Sequence, residues 1–200
     1  MISHQAIASK NRQMETYQHN PKTWSQDTYI KAYKFAAHAH QGQKVPGTNL
    51  PYIMHLSFVS MEVIAALNLE QEHDGNLALQ CAILHDTIED TNTTFEQIKT
   101  EFGEAVANGV LALTKDNSLA KHLQMADSLQ RIKEQPPEIW MVKLADRISN
   151  LQAPPHYWTQ DKITRYREEA IEIYEALKDA SSFLASRLAI KIEDYKAFIE

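Results

Sequence analysis

Helix-breaking residues are scarce in this chain and are gathered at a few points. The 200 residues include only 5 glycines and 7 prolines, which is about half the usual combined share. These are too few for the many tight turns of a β-sandwich or a β-barrel. Between the breaks, apolar residues recur at intervals of three and four, which is typical of helices. The pattern predicts an all-α fold, an array of about eight or nine helices.

The breaks divide the chain into helical segments. Glycines and prolines mark a loop over residues 41–52, and two proline pairs mark later breaks. Asp74 is expected to cap one helix, and the capping-box pair Thr94 and Gln97 should begin a short helix that Gly103 ends. The other predicted helices cover residues 24–40, 53–69, 75–90, 104–115, 119–134, 138–151, 161–178 and 182–198. Residues 1–22 have no clear period and are expected to form an N-terminal extension, which leaves residues 23–200 as a single domain.

Charge and cysteine content limit the classes of partner. The net charge of −6 disfavours broad electrostatic binding to nucleic acid or to an anionic membrane. The single cysteine, Cys81, cannot form an intrachain disulfide, and no apolar run is long enough to cross a membrane. We therefore expect a cytoplasmic protein that binds a small molecule rather than nucleic acid or membrane. The oligomeric state is left open.

The segment from Leu84 to Asp90 concentrates titratable side chains. On one continuous helix, His85 would lie over Glu89 and Asp86 over Asp90, because residues four apart share a face. Three carboxylates held this close repel one another unless solvent or a cation screens them, and a divalent metal with a histidine ligand does so well. The alternative is a solvated acidic helix end with His85 on the surface.

Asp146 lies in a helical segment that is apolar on two sides, so we expect this segment to be buried. A buried carboxylate needs a partner. The partner could be a metal, or Arg147 in a purely structural ion pair. His55 follows the loop over residues 41–52 and is a third donor candidate, although a lone helical histidine by itself indicates little.

The ordered set His55, His85 with Asp86, and Asp146 resembles the four metal ligands of the HD phosphohydrolase superfamily. The wider pattern resembles the hydrolase domain of the Rel/Spo alarmone enzymes over about residues 25–178. The motifs that carry the resemblance occur in the family's order and spacing. They are Phe35–Gln43 (FAAHAHQGQ), Pro51–His55 (PYIMH), Leu84–Thr91 (LHDTIEDT), Phe102–Val106 (FGEAV), Leu113–Lys115 (LTK) and Lys143–Leu151 (KLADRISNL).

The resemblance implies a chemistry. The family's hydrolase domain removes pyrophosphate from the 3′ position of guanosine tetra- or pentaphosphate with one Mn²⁺ ion, so the expected activity is that of a (p)ppGpp 3′-pyrophosphohydrolase. By resemblance, His55, His85, Asp86 and Asp146 are the manganese ligands. Glu89 and Asp90 match the family's catalytic acidic pair, which would orient a metal-activated water, accept its proton and protonate the 3′-oxygen.

The resemblance also implies nucleotide contacts. They are Lys44, Tyr52, Asn150, Lys162 and Arg165. The family often has two successive basic residues where this chain has Lys44 and Val45, so the same fold could act on an adenosine alarmone or on NADPH. A non-catalytic alarmone-binding module is a further alternative. Because the chain ends at Glu200, it is expected to be a stand-alone small alarmone hydrolase, similar to the metazoan-type single-domain enzymes.

Overall fold

The computed structural model describes residues 24–199, and these form an all-α array, as predicted. Among them are nine α-helices of eight residues or more, one shorter helix and two 3₁₀ helices, and the one β-pairing is an isolated bridge between Lys44 and Pro51. None of the described helices is both long and apolar enough to cross a membrane. The α-helices are α1 (Gln26–Ala39), α2 (Ile53–Leu69), α3 (Gly75–Leu84), α4 (Thr87–Asp90), α5 (Phe95–Phe102), α6 (Glu104–Leu113), α7 (Gln124–Lys133), α8 (Pro137–Asn150), α9 (Gln160–Leu177) and α10 (Ser182–Asp194).

The two 3₁₀ helices follow the last long helices, at Lys178–Ala180 and Tyr195–Phe198. The N-terminal extension predicted for residues 1–22 lies outside the described residues. The single domain predicted for residues 23–200 stays a prediction.

Side-chain caps fix several helix starts. The Asp74 carboxylate accepts the backbone N–H of Leu77 at the start of α3. Thr94 and Gln97 form the predicted capping box of α5, in which each side chain accepts the other residue's backbone N–H. Gly103 ends α5 with a φ of 91°, a backbone conformation that residues with a Cβ rarely adopt. The caps predicted at these positions are therefore confirmed.

The continuous helix predicted over residues 75–90 is wrong, because the backbone leaves the helix at His85 and Asp86. The Thr87 hydroxyl donates to the Leu84 carbonyl at 2.6 Å, and His85 Nδ1 lies 2.8 Å from the Ala82 carbonyl oxygen. Side chains thus replace the backbone donors that would continue the helix. A new turn starts where Asp90 N donates to the Asp86 carbonyl at 2.9 Å. The break places His85 and Asp86 between α3 and α4.

Three other predicted helix bounds are corrected. The helix predicted over residues 104–115 ends at Leu113. The Arg131 guanidinium donates to the carbonyls of Leu111 and Ala112, and of Thr114 just after the helix, at 2.8–3.1 Å. The helix predicted over residues 119–134 begins only at Gln124, because the preceding residues form turns. The segment predicted as one helix to residue 198 is α10 followed by a 3₁₀ helix.

Helix α8 lies at the centre of the array. It packs against α2, α3, α9 and α10, and all but one of its residues from Glu138 to Ser149 are buried. The start of α2 and the end of α3 reach this helix near its carboxyl-terminal half. The central helix therefore brings distant parts of the sequence to one place.

Candidate metal centre and active site

Four predicted metal ligands come together where α2, α8 and the break between α3 and α4 meet. One ligand atom from each of His55, His85 and Asp86 lies within 4.8 Å of the other two. Asp146 Oδ1 is 3.4 Å from His55 Nε2 and 3.7 Å from His85 Nε2. His85 is buried, so the solvated helix end considered from the sequence does not describe this residue. We refer to these four residues as the ligand cluster.

The hydrogen bonds of the two imidazoles suit a metal site. His85 Nδ1 donates to the Ala82 carbonyl at 2.8 Å, and His55 Nδ1 lies 3.2 Å from the Ser149 hydroxyl, which can accept its proton. In the neutral form of each imidazole, Nε2 then carries a lone pair, and the two Nε2 atoms lie 3.3 Å apart. A cation between them relieves this repulsion, and a histidine whose other ring nitrogen is fixed by a hydrogen bond is the usual metal ligand. The donor set of two imidazoles and two carboxylates therefore fits a divalent transition metal.

The charges of the ligand cluster are strongly coupled. Burial alone would lower the pKa of His85, but the carboxylates of Asp86 and Asp146 raise it to about 10. Burial alone would raise the pKa of Asp86. The two imidazoles have the larger effect and lower this pKa to well below its usual range. Protonated imidazoles thus neutralise the carboxylates when no metal does. A metal ion binds in competition with these protons.

Asp146 has a different ion-pair partner from the one considered from the sequence. Lys143 Nζ lies 3.2 Å from Asp146 Oδ2. Burial alone would raise the pKa of Asp146, but Lys143 and the two imidazoles outweigh it and lower this pKa to well below its usual range. Arg147 instead stacks on the Tyr166 ring at 4.2 Å and pairs with Glu169 at 3.4 Å. The purely structural pair of Asp146 with Arg147 is therefore wrong.

Two of the predicted nucleotide contacts touch the ligand cluster. The Tyr52 hydroxyl donates to Asp86 Oδ2, and burial together with the nearby carboxylates raises the pKa of Tyr52. The Asn150 amide donates to Asp146 Oδ1 at 2.5 Å. Both residues orient a carboxylate of the ligand cluster.

The two residues of the predicted acidic pair, Glu89 and Asp90, have different hydrogen-bond partners. Glu89 accepts two hydrogen bonds from Lys115, one from Nζ at 2.8 Å and one from the backbone N–H at 3.0 Å. Asp90 is exposed and accepts one bond, from Gln43 Nε2 at 3.4 Å. Burial and the charges of Asp86 and Glu89 raise the pKa of Asp90. Glu89 is thus fixed by two hydrogen bonds, whereas Asp90 has one long hydrogen bond and a raised pKa.

The three basic residues predicted as nucleotide contacts have other partners in the structure. Lys44 Nζ donates to Asn49 at 3.0 Å within the exposed loop. Lys162 Nζ lies 4.0 Å from the centroid of the Trp158 ring, and Arg165 Nε donates to the Asp161 carbonyl at 3.3 Å. The structure does not bring these three side chains into the ligand cluster.

Sequence reasoning gave no role to Lys115, Gln43 and Ser149, each of which touches a residue of the site. The available signal was their position, because all three lie inside motifs that carry the family resemblance. Their contacts depend on the tertiary fold, since Ser149 is 94 residues from His55 and Lys115 is 26 residues from Glu89.

Comparison with known proteins decides the family. A family model described as an HD domain matches residues 32–182. This chain belongs to the HD domain family. A relative of this HD domain is the guanosine-3′,5′-bis(diphosphate) 3′-pyrophosphohydrolase MESH1 of Xenopus tropicalis, which is 33% identical over 164 residues, or 80% of this chain and 89% of the relative. The guanosine-3′,5′-bis(diphosphate) 3′-pyrophosphohydrolase of Aquifex aeolicus is 33% identical over 152 residues, or 74% of this chain but only 20% of that longer protein.

A solved structure supports the same assignment. The structure of a metazoan ortholog of SpoT that hydrolyzes ppGpp matches this HD domain with a TM-score of 0.73 at 26% identity. The match covers 88% of this chain and 99% of that chain. The resemblance to Rel/Spo hydrolase domains that the motifs indicate is therefore confirmed.

Proposed function

We propose that this HD domain hydrolyses (p)ppGpp to GDP or GTP and pyrophosphate. The observation that carries the proposal is the ligand cluster, which assembles two imidazoles and two carboxylates beside a pair of acidic residues. The relatives named as guanosine-3′,5′-bis(diphosphate) 3′-pyrophosphohydrolases support the substrate, since one of them is covered over 89% of its length.

Mn²⁺ is the proposed ion, and His55, His85, Asp86 and Asp146 would hold it. When bound, the ion supplies Lewis acidity that makes a water a nucleophile near neutral pH and offsets the charge of the phosphate oxygens. The chain's own groups prepare this site in two ways. Hydrogen bonds fix the imidazoles through Nδ1, and Tyr52 and Asn150 orient the two carboxylates.

Asp90 is the proposed proton acceptor for the attacking water. It has one weak hydrogen bond and a raised pKa, whereas Lys115 holds Glu89 with two bonds. The water oxygen attacks the phosphorus nearest the ribose, and the bond from that phosphorus to the 3′-oxygen breaks. The proton that Asp90 accepted then passes to the 3′-oxygen, so that pyrophosphate leaves intact. Glu89 would orient the water at the start of this sequence.

Lys44, Tyr52, Asn150, Lys162 and Arg165 are the proposed nucleotide contacts. Tyr52 and Asn150 are supported by their places beside the ligand cluster. Lys44, Lys162 and Arg165 are exposed, so each can exchange its present partner for a phosphate. A reducing cytoplasm is the proposed compartment, because Cys81 is a buried free thiol.

A substrate panel tests the function. Purified protein with Mn²⁺ is incubated with ppGpp, pppGpp, an adenosine alarmone and NADPH, and the release of pyrophosphate and orthophosphate is measured. We expect pyrophosphate from the guanosine alarmones, and loss of turnover in His85→Ala and Asp86→Ala. The matched control is His122→Ala, since His122 is an exposed histidine on a turn and is not one of the ligand cluster's hydrogen-bond partners described above.

The same panel separates the alternatives. If the adenosine alarmone or NADPH is hydrolysed faster than ppGpp, that compound replaces the guanosine alarmone as the proposed substrate. This alternative is considered because Lys44 is followed by Val45 rather than by a second basic residue. Folded, metal-loaded protein that binds ppGpp by calorimetry but releases no product would indicate a binding module and overturn the proposal.

A further inference from the structure

The loop between α1 and α2 begins with a buried histidine. His40 is 4% exposed, and its ring stacks on the Tyr52 ring with 4.9 Å between centroids. Its Nδ1 lies 2.6 Å from Gln43 Oε1. His40 is therefore held on one side by an aromatic ring and at one nitrogen by an amide.

Gln43 is anchored through its backbone as well. Its N–H donates to the His40 carbonyl at 3.0 Å, and its carbonyl accepts the Tyr52 N–H at 3.0 Å. The preceding Gly42 has a φ of 82°, which permits the tight turn that brings these groups together. The Gln43 side chain thus starts from a fixed point next to the site.

The donors and acceptors of this chain of contacts admit one arrangement. An ionised carboxylate only accepts, so the Gln43 group that faces Asp90 at 3.4 Å is the amide Nε2. Gln43 Oε1 then faces His40, so His40 must donate from Nδ1. His40 Nε2 is buried and has no hydrogen-bond partner within residues 24–199, which is less costly for a lone pair than for an N–H. The three side chains therefore form a hydrogen-bond chain, in which His40 donates to Gln43 and Gln43 donates to Asp90.

Asp90 needs such a restraint. It lies close enough to Asp86 and Glu89 for their negative charges to act on it. These carboxylates repel Asp90, and Lys115 is engaged with Glu89 rather than with Asp90. Gln43 is the one hydrogen-bond donor recorded for the Asp90 side chain in the described part of the chain. Bonds of this length commonly tighten when substrate binds.

We propose that His40 and Gln43 are positioning residues, which hold the Asp90 carboxylate in the orientation that proton transfer requires. The inference rests on the proposed function, because it assumes that Asp90 takes the proton. In this role, His40 acts through the Gln43 side chain, and Gln43 acts through Asp90.

Kinetics of paired variants test this role. Gln43→Leu and His40→Phe should each lower kcat for ppGpp hydrolysis by about tenfold, a part of the roughly 10²- to 10⁴-fold that general acid–base catalysis contributes. KM, Mn²⁺ content and Tm should stay close to the wild-type values, because His40→Phe keeps a ring against Tyr52. The double variant should be no slower than either single variant, since both changes interrupt the same hydrogen-bond chain. His40→Gln, which restores an N–H donor, should recover part of the rate.

The matched controls are His38→Phe and Gln41→Leu, two exposed residues of the same segment. They should leave kcat unchanged. Equal losses in the controls, losses that multiply in the double variant, or a rise in KM with kcat unchanged would each overturn the positioning role.

A second measurement does not depend on activity. The side-chain amide signals of Gln43 in a ¹⁵N NMR spectrum should shift in both His40→Phe and Asp90→Asn, but not in His38→Phe. If the wild-type protein hydrolysed nothing in the substrate panel and these signals shifted as expected, the proposed function would be refuted but the hydrogen-bond chain would be supported. Unchanged Gln43 signals in both variants would refute the hydrogen-bond chain.

Discussion

Gly109 lies where α6 packs against α3 and α8. A Cβ at this position would be 2.5 Å from Ile139 Cδ1 and 2.8 Å from Cys81 Sγ. Carbon atoms in contact are normally about 3.5–4.0 Å apart, so Gly109→Ala requires the Ile139 side chain to move by about 1 Å. Both neighbours are fully buried, so there is little free space to receive them.

The cost of Gly109→Ala follows from two opposing effects. Overpacking of a core costs about 1–3 kcal/mol, whereas alanine is about 0.8–1 kcal/mol better than glycine inside a helix. The expected net loss is about 1 kcal/mol, or about 2–4 °C in Tm for a chain of this size. Urea and thermal unfolding followed by circular dichroism at 222 nm measure both quantities.

A double variant makes the test specific. Ile139→Val removes the Cδ1 atom that the new methyl group would meet, and alone it should cost about 0.5–1.5 kcal/mol. The double variant Gly109→Ala with Ile139→Val should be more stable than the sum of the two single effects predicts. Asn108→Ala on the exposed face of α6 reports helix propensity alone. Full additivity, or a Gly109→Ala protein as stable as the wild type, would refute the close packing of α6.

Three further predictions concern the site and its scaffold. Ser149→Ala removes the partner of His55 Nδ1, so Mn²⁺ affinity should fall by about tenfold or more in a calorimetric titration; an unchanged affinity would contradict this role of the hydroxyl. Lys115→Met removes the Nζ bond to Glu89 but keeps the backbone N–H bond, so Glu89 is held less firmly and kcat should fall several-fold while Tm changes little. A large loss of Tm would instead assign Lys115 a structural role. Burial alone would raise the pKa of Glu70, but hydrogen bonds from Ser182 and its neighbours lower this pKa below its usual value. The stability that the Glu70 carboxylate adds is therefore present above about pH 4.5. It is lost as the pH falls through the lowered pKa. The Tm difference between wild type and Glu70→Gln should therefore be largest near neutral pH and shrink toward pH 3 in thermal scans, whereas a difference that does not vary with pH would argue against the lowered pKa.

The sequence predicted the elements of this site better than their local geometry. His55, His85 with Asp86, and Asp146 could be selected because their spacing resembles one family, and the structure brings all four together. The all-α class followed from helical periodicity, which depends only on local spacing.

The features that were missed depend on contacts between distant residues. The break at His85 follows from side-chain bonds to the carbonyls of Ala82 and Leu84, and periodicity does not register such bonds. Likewise, the carbonyls at the end of α6 accept hydrogen bonds from Arg131, which lies about one helix later in the chain. A pattern of apolar residues has no information on either contact.

The unequal contacts of Glu89 and Asp90 show the same limit. The two residues are adjacent and chemically alike, so the sequence assigns them one shared role. The fold then gives Lys115 to Glu89 and Gln43 to Asp90. Only the packing of three separate segments distinguishes the two carboxylates.

The ligand cluster joins parts of the chain that lie about 30 and about 60 residues apart. An ion held by all of them would act as a removable cross-link, which closes two long loops of the unfolded chain. Because the four donors meet only in the folded state, ion binding and folding are linked, and an ion at 100 times its Kd would add about 2.7 kcal/mol of stability. The metal supply would then set the lifetime of this protein as well as its rate of catalysis.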